Sequence, residues 1–186
     1  MELKRQIKQL ASRDLAERDA AAEELYIAGS VLARRAAREW LKDGDFTSLV
    51  ERDPKITVGI AVHPELFRQI REANGNPRLA EVPPDQDAEE FELHFTGISL
   101  DVLTPKTPDG NGAIARYLAR FGEGIQQVEF LCKDVDRATQ ILRERFGVAP
   151  VYPETRAGAD GTRVNFFLVT TPDGQKVLIE LYEKKL

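Results

Sequence analysis

The sequence predicts an α+β fold, with a short α-helical hairpin over residues 1–52 followed by a domain over 55–186 made of paired βαβββ modules, 55–105 and 124–184. Three observations predict it. Apolar residues recur at helical spacing as far as Leu49, they alternate with period two from Ile56, and the order of elements repeats after Gly124. The 186 residues suffice for one full-sized core with a helical appendage.

Leu3, Ile7 and Leu10, followed by Leu15, Ala22, Leu25 and Tyr26, mark amphipathic helices. Ser12 and Asp14 read as start signals, Gly29 as a stop, Ser30 as a new cap, and Gly44 as a second stop after Trp40 and Leu41. The stretch from Asp14 to Leu25 resembles the first helix of a HEAT repeat, with Val31 to Leu41 as its second. A lone pair of such helices must bury its apolar faces on the following domain or on a partner chain.

After Asp53-Pro54 the pattern changes. Ile56, Val58, Ile60 and Val62 alternate with Thr57, Gly59, Ala61 and His63, which predicts a strand with two different faces. A helix is expected from Pro64 to Ala73, ended by Asn74-Gly75-Asn76-Pro77, and further strands at Arg78 to Val82, Glu89 to Phe95 and Ile98 to Thr104. Ala113 to Phe121 has the spacing of a linking helix. In the second module the expected order is strand Ile125 to Cys132, helix Val135 to Phe146, then strands Val148 to Val151, Thr162 to Thr170 and Lys176 to Tyr182, with Pro172-Asp173-Gly174 as the last turn.

Composition removes several function classes. A net charge of -5 gives no basic surface for a phosphate backbone, which argues against nucleic acid as a partner. The longest apolar runs, such as Val58 to Val62, are far too short to cross a bilayer, and Met1 to Arg5 lack the apolar core of a secretion signal, so a soluble cytoplasmic protein is expected. The single cysteine, Cys132, supports neither an internal disulfide nor a metal cluster, and strand parity puts it on the helix side as an inert core thiol. Asp109-Gly110-Asn111-Gly112 lacks the length and lysine of a phosphate loop, and no serine sits in a nucleophile elbow.

The segment from Ala113 to Ile125, closing in Gly122-Glu123-Gly124-Ile125, resembles the methylmalonyl-CoA epimerase segment that ends in Gly-Glu-Gly-Ile-His-His. Arg156 to Val164 and Val177 to Leu181 resemble that family's closing strands, and Ile56 to Val62 its opening one. The resemblance implies a glyoxalase-like vicinal-oxygen-chelate domain, of the superfamily that also holds bleomycin-resistance proteins and dioxygenases. In that superfamily two modules curl around a cavity, and each supplies two metal ligands, one on its first strand and one on its last. The corresponding positions here are Thr57 and Asp101, then Gln127 and Glu180. Local sequence agrees: Thr57-Val58 echoes Gln127-Val128, and Leu100-Asp101-Val102 echoes Ile179-Glu180-Leu181.

Where the family has histidine this chain has Thr57 and Gln127, so the imidazoles that suit cobalt, zinc or nickel are lost. Asp101 and Glu180, with a hydroxyl and an amide oxygen, could still hold magnesium or manganese as metal ligands; otherwise Thr57 and Gln127 simply hydrogen-bond inside a polar pocket. Ser99 and Tyr182 are counted with them as ligand-pocket residues. If Gln127 faces the cavity, so does Glu129, which adds a third carboxylate. Such a cluster needs a cation or a basic ligand group, or one carboxyl must keep its proton and be poised for acid–base work; a wide, wet cleft would leave all three ordinary. Glu90 is the position nearest the catalytic glutamate of some epimerases, on a strand whose polar face also carries Glu92 and His94. His63 is expected to be a surface histidine.

These residues predict a glyoxalase- or epimerase-like protein with a cavity for a small acyl or carbonyl ligand, a degenerate metal site, and an activity diverged or lost. One alternative is an active isomerase or lyase using a hard divalent cation, with Asp101 and Glu180 as anchors and Glu129 or Glu90 as base. A second is a ligand-sequestering protein of the antibiotic-resistance type, and a third gives the helical hairpin the leading role in protein docking. Relatives often pair across a two-fold axis, so a homodimer is a further expectation.

Overall fold

Helix α1 spans Glu2–Gln9 and helix α2 Leu15–Ala36. The start expected near Ser12 and Asp14 is present: Asp14 Oδ1 accepts from the Ala16 amide at 2.8 Å, and Ser12 Oγ accepts from the Asp14 amide at 3.1 Å. The stop expected at Gly29 is not. Helix α2 runs through Gly29 and Ser30 to Ala36, because Gly29 answers to packing and not to a cap. A Cβ on Gly29 would lie 2.4 and 2.6 Å from the two γ-carbons of Val58, so only hydrogen fits there. A mid-helix glycine costs about 1 kcal/mol in propensity, which the close approach to Val58 outweighs.

The second hairpin helix, expected from Val31 to Leu41, is replaced by the end of α2, a 3-10 turn at Trp40–Lys42 and helix α3 at Gly44–Val50. Gly44 therefore opens a helix where a stop was expected. The signal lies one residue earlier, where Asp43 Oδ1 accepts from the Asp45 and Phe46 amides, both at 3.0 Å.

The computed structural model describes residues 2–50 and 54–184; the domain boundary expected at residue 52 and the change of pattern at Asp53 fall outside them. By its contacts the chain divides into two compact units, Met1–Gly29 with Thr57–Gln126 and Ser30–Ile56 with Gln127–Leu186. Among the described residues no helix is long and apolar enough to cross a membrane.

In the first unit, strand β1 (Ile56–Ala61) from Thr57 onward leads to α4 (Pro64–Ala73), then β2 (Ala88–Phe95), β3 (Ile98–Pro105) and α5 (Ala113–Phe121). Strand β3 runs parallel to β1 and antiparallel to β2. Val58, Ile60, Phe91, Leu100 and Val102 are fully buried, and Phe67 of α4 packs on Phe91 with ring centroids 4.8 Å apart. Burying each such side chain stabilises the fold by about 1.5–3 kcal/mol. Asn74 closes α4 by donating from Nδ2 to the Leu10 and Ile70 carbonyls. On the opposite sheet face, Ile114 and Leu118 of α5 cluster with Ala61, Ala88 and Leu103.

The strand expected at Arg78 to Val82 does not form. Pro77, Pro83 and Pro84 bracket it without N–H groups, and a backbone bond, Ala80 N to Glu90 O at 2.9 Å, joins it to β2.

The second unit contains β4 (Gly124–Leu131) from Gln127 onward, α6 (Val135–Phe146), β5 (Arg156–Ala157), β6 (Arg163–Thr170) and β7 (Lys176–Glu183). Strand β4 pairs parallel with β7, and β6 pairs antiparallel with both β7 and β5. Trp40 packs edge-on against Phe46 and Phe167, with centroids 5.8 and 6.1 Å away. Asp134 Oδ1 caps α6 through the Arg137 amide, and Glu183 Oε2 accepts from the Val135 amide at 2.7 Å. The strand expected at Val148 to Val151 is absent. Pro150 and Pro153 remove donors there, and pairing shifts to Arg156–Ala157. Each module thus sets its first strand parallel beside its last.

Candidate functional site

Register decides which side chains share a face. In the first unit Thr57 lies opposite Ser99, Gly59 opposite Asp101, Asp101 opposite Glu92, and Leu103 opposite Glu90. Thr57, Ser99, Asp101, Glu90, Glu92 and His94 therefore line one face, whose Ala61 and Leu103 end is covered by α5. Thr57 and Asp101 are buried, Ser99 and Glu90 are half-buried, and Glu92 and His94 are exposed. The imidazole of His94 meets Glu92 through Nε2 at 2.9 Å.

In the second unit Glu129 lies opposite Glu180, and Leu131 opposite Tyr182. Gln127 shares this face by strand parity, and its amide nitrogen donates to Glu129 Oε1 at 3.0 Å and to Glu180 Oε2 at 2.7 Å. Gln127 and Glu129 are 7% and 8% exposed, so these bonds form largely away from water, where a buried polar group must find partners. Glu180 and Tyr182 are half-buried. The structure thus brings three of the expected residues, Gln127, Glu129 and Glu180, together as one bridged group on the face turned away from α6, with Tyr182 on the same face. Asp101, Thr57, Ser99 and Glu90 belong to the first unit.

Sequence reasoning missed the aromatic surroundings of the bridge. Phe166 pairs in register with Glu180, Tyr152 packs edge-on against Phe166 at 6.0 Å, and the Arg156 guanidinium lies 4.3 Å over the Tyr152 ring. Parity along β6 carried the signal, because Phe167 turns inward to Trp40 and so sends Phe166 and Leu168 to the other face.

Two minor expectations meet the structure directly. Cys132 is buried, its thiol donates to the Asp134 carbonyl at 3.2 Å, and burial pushes it up to about 11. His63 is exposed at the start of α4. Tyr117 of α5 donates from its hydroxyl to the Ile125 carbonyl at 2.8 Å, and burial raises the phenol above its ordinary range. A Cβ on Gly124 would sit 2.7 Å from that hydroxyl, which accounts for the glycine. Among the described residues no group of three or more histidine, cysteine, aspartate or glutamate side chains could hold a metal ion.

No family model matches the chain, and no curated protein matches it. Solved structures do. The methylmalonyl-CoA epimerase of Mycobacterium tuberculosis is 30% identical with a TM-score of 0.55, over 70% of this chain and 87% of that one. A hypothetical protein from Bacillus halodurans is 26% identical with a TM-score of 0.56, over 70% and 93%. A variant of the Streptomyces coelicolor methylmalonyl-CoA epimerase, in complex with 2-nitronate-propionyl-CoA, is 27% identical with a TM-score of 0.55, over 70% and 96%.

Proposed function

Because the chain belongs to the vicinal-oxygen-chelate family that includes the methylmalonyl-CoA epimerases, we propose that it binds a small acyl or carbonyl ligand at a degenerate metal site, with the epimerase activity diverged or lost. The reading centres on the strands of the second unit, on the face that carries Gln127, Glu129 and Glu180. One observation carries it. A glutamine amide has two N–H donors, and both are spent, one on Glu129 and one on Glu180.

Epimerisation beside a carbonyl needs a base for the α-proton and a cation or strong donors for the enolate oxygen that forms. Glu129 supplies a carboxylate of the right kind. Gln127, standing where the family has an imidazole, turns N–H groups and not a lone pair toward the carboxylates. Neither a metal nor an oxyanion is served by that arrangement. The bridge takes over the task a cation performs between two carboxylates, holding them side by side through charge-assisted hydrogen bonds. Half-buried Phe166, Leu178 and Tyr182 offer the ligand an apolar wall.

A thermal-shift series over magnesium, manganese, cobalt and zinc tests the degenerate site. The expected result is that no ion raises the melting temperature. Stabilisation by any of them that disappears in Glu180→Ala would replace this reading with the metal-dependent isomerase.

A further inference from the structure

The loop from Lys106 to Gly112 joins β3 to α5 and ends in Asn111-Gly112, one of two Asn-Gly pairs in the chain. Asp87, just before β2, holds this loop: its carboxylate accepts from the Thr107 hydroxyl at 2.9 Å and its carbonyl from the Lys106 amide at 3.1 Å. An asparagine before glycine is open to attack at its side-chain carbon by the next residue's amide nitrogen, because glycine puts no side chain in the way. Whether the attack happens depends on what occupies the two groups.

The two pairs differ in every group the reaction uses. Asn74 donates from Nδ2 to the Leu10 carbonyl at 2.9 Å and to the Ile70 carbonyl at 2.8 Å, while the Gly75 amide donates to the Glu72 carbonyl at 3.3 Å. Its leaving group and its nucleophile are both occupied. Asn111 is exposed, its side chain makes no hydrogen bond with a described residue, and the Gly112 amide donates to none. The Arg116 guanidinium donates from Nη1 to the main-chain carbonyl of Asn111 at 2.5 Å. That carbonyl and the Gly112 N–H belong to one peptide group. A cation on the oxygen therefore stabilises the anion formed when the nitrogen gives up its proton, and it is as this anion that the nitrogen attacks.

We propose that Asn111 is a self-modification site activated by Arg116. The Gly112 nitrogen gives its proton to water and bonds to Asn111 Cγ, closing a cyclic imide. The Cγ–Nδ2 bond breaks, and its nitrogen takes a proton from water and leaves as ammonia. Water then opens the imide at either carbonyl, which leaves aspartate or isoaspartate in position 111. The product sets a negative charge just ahead of α5, whose first turn holds no acidic residue and whose N-cap, Gly112, offers no side-chain hydrogen bond. A negative charge is favourable there, where the first amides of the helix point outward. The site stands or falls independently of the Gln127 bridge.

The full chain and the variants Arg116→Gln and Arg116→Lys are incubated in neutral buffer, folded and in urea. Peptide mass spectrometry follows the gain of one mass unit at each asparagine, and isoaspartyl methyltransferase with a labelled methyl donor counts the isoaspartate. In the folded protein Asn111 should convert while Asn74 stays intact; in urea both should convert. Arg116→Gln should slow the folded protein about fivefold at Asn111, and Arg116→Lys, which keeps the cation, should slow it less. In urea the three proteins should react alike, which separates activation by the folded contact from an effect of local sequence. Equal rates at Asn74 and Asn111 in the folded chain, a wild-type rate in Arg116→Gln, or a variant difference that persists in urea overturns the proposal. So does an Asn111 that stays unmodified in the folded chain while urea exposes it to conversion.

Discussion

Glu129 and Glu180 stand opposite one another on the parallel strands β4 and β7, and a single nitrogen, Gln127 Nε2, bonds to both. Side by side on one face, two carboxylates repel unless something positive or hydrogen-donating lies between them. Replacing Gln127 by alanine removes both bonds and should cost about 1–3 kcal/mol in urea unfolding. Gln127→Glu should cost more, because it sets a third carboxylate beside the two. A Gln127→Ala variant as stable as the wild type would mean that the bridge contributes nothing.

Gly29 and Val58 make a second test. Gly29→Ala improves helix propensity by about 1 kcal/mol, but its methyl would meet the Val58 side chain at 2.4 Å, an overpacking that costs about 1–3 kcal/mol. Net destabilisation is expected, and in the double variant with Val58→Ala the combined loss should be smaller than the sum of the two single losses. Denaturation midpoints of the wild type, the two single variants and the double variant give the answer, and additive losses would contradict the close packing.

With its thiol pushed up to about 11 by burial, Cys132 carries only about one thiolate per thousand molecules at pH 8. Iodoacetamide should label it slowly in the native protein and rapidly in urea. Fast native labelling would show that the site opens easily.

The Asp136 carboxyl is held below its ordinary range, first by the Thr155 hydroxyl and then by Arg163. A depressed carboxylate stabilises the fold above its ordinary pKa, and that contribution disappears as pH falls through the lower folded value. The pair is solvent-accessible, so the effect should stay within about 1 kcal/mol. Melting temperature followed from pH 5 to pH 2 should fall less steeply in Thr155→Ala and Arg163→Ala than in the wild type.

What was legible in the sequence was what depends on local period and local caps. Helices α4, α5 and α6 follow their expected spans because amphipathic spacing and flanking signals such as Asp134, Gly122 and Gly147 act within a few residues. Gly29 was misread because its reason for being glycine, Val58, is distant in the chain. The strands expected at Arg78 to Val82 and Val148 to Val151 have the right composition, but pairing needs N–H groups that the nearby prolines lack. At the site, parity placed Gln127 and Glu129 on one face of β4. The direction of the Gln127 amide and the Phe166, Tyr152 and Arg156 stack depend on cross-strand register, which no stretch of sequence states.

The most direct test is a calorimetric titration with propionyl-CoA in EDTA, on the wild type and on Gln127→Ala. The expected result is saturable binding without metal, weakened at least about tenfold by the substitution. Binding that requires added manganese or cobalt, or that is indifferent to Gln127, would contradict an acyl site organised by an amide bridge.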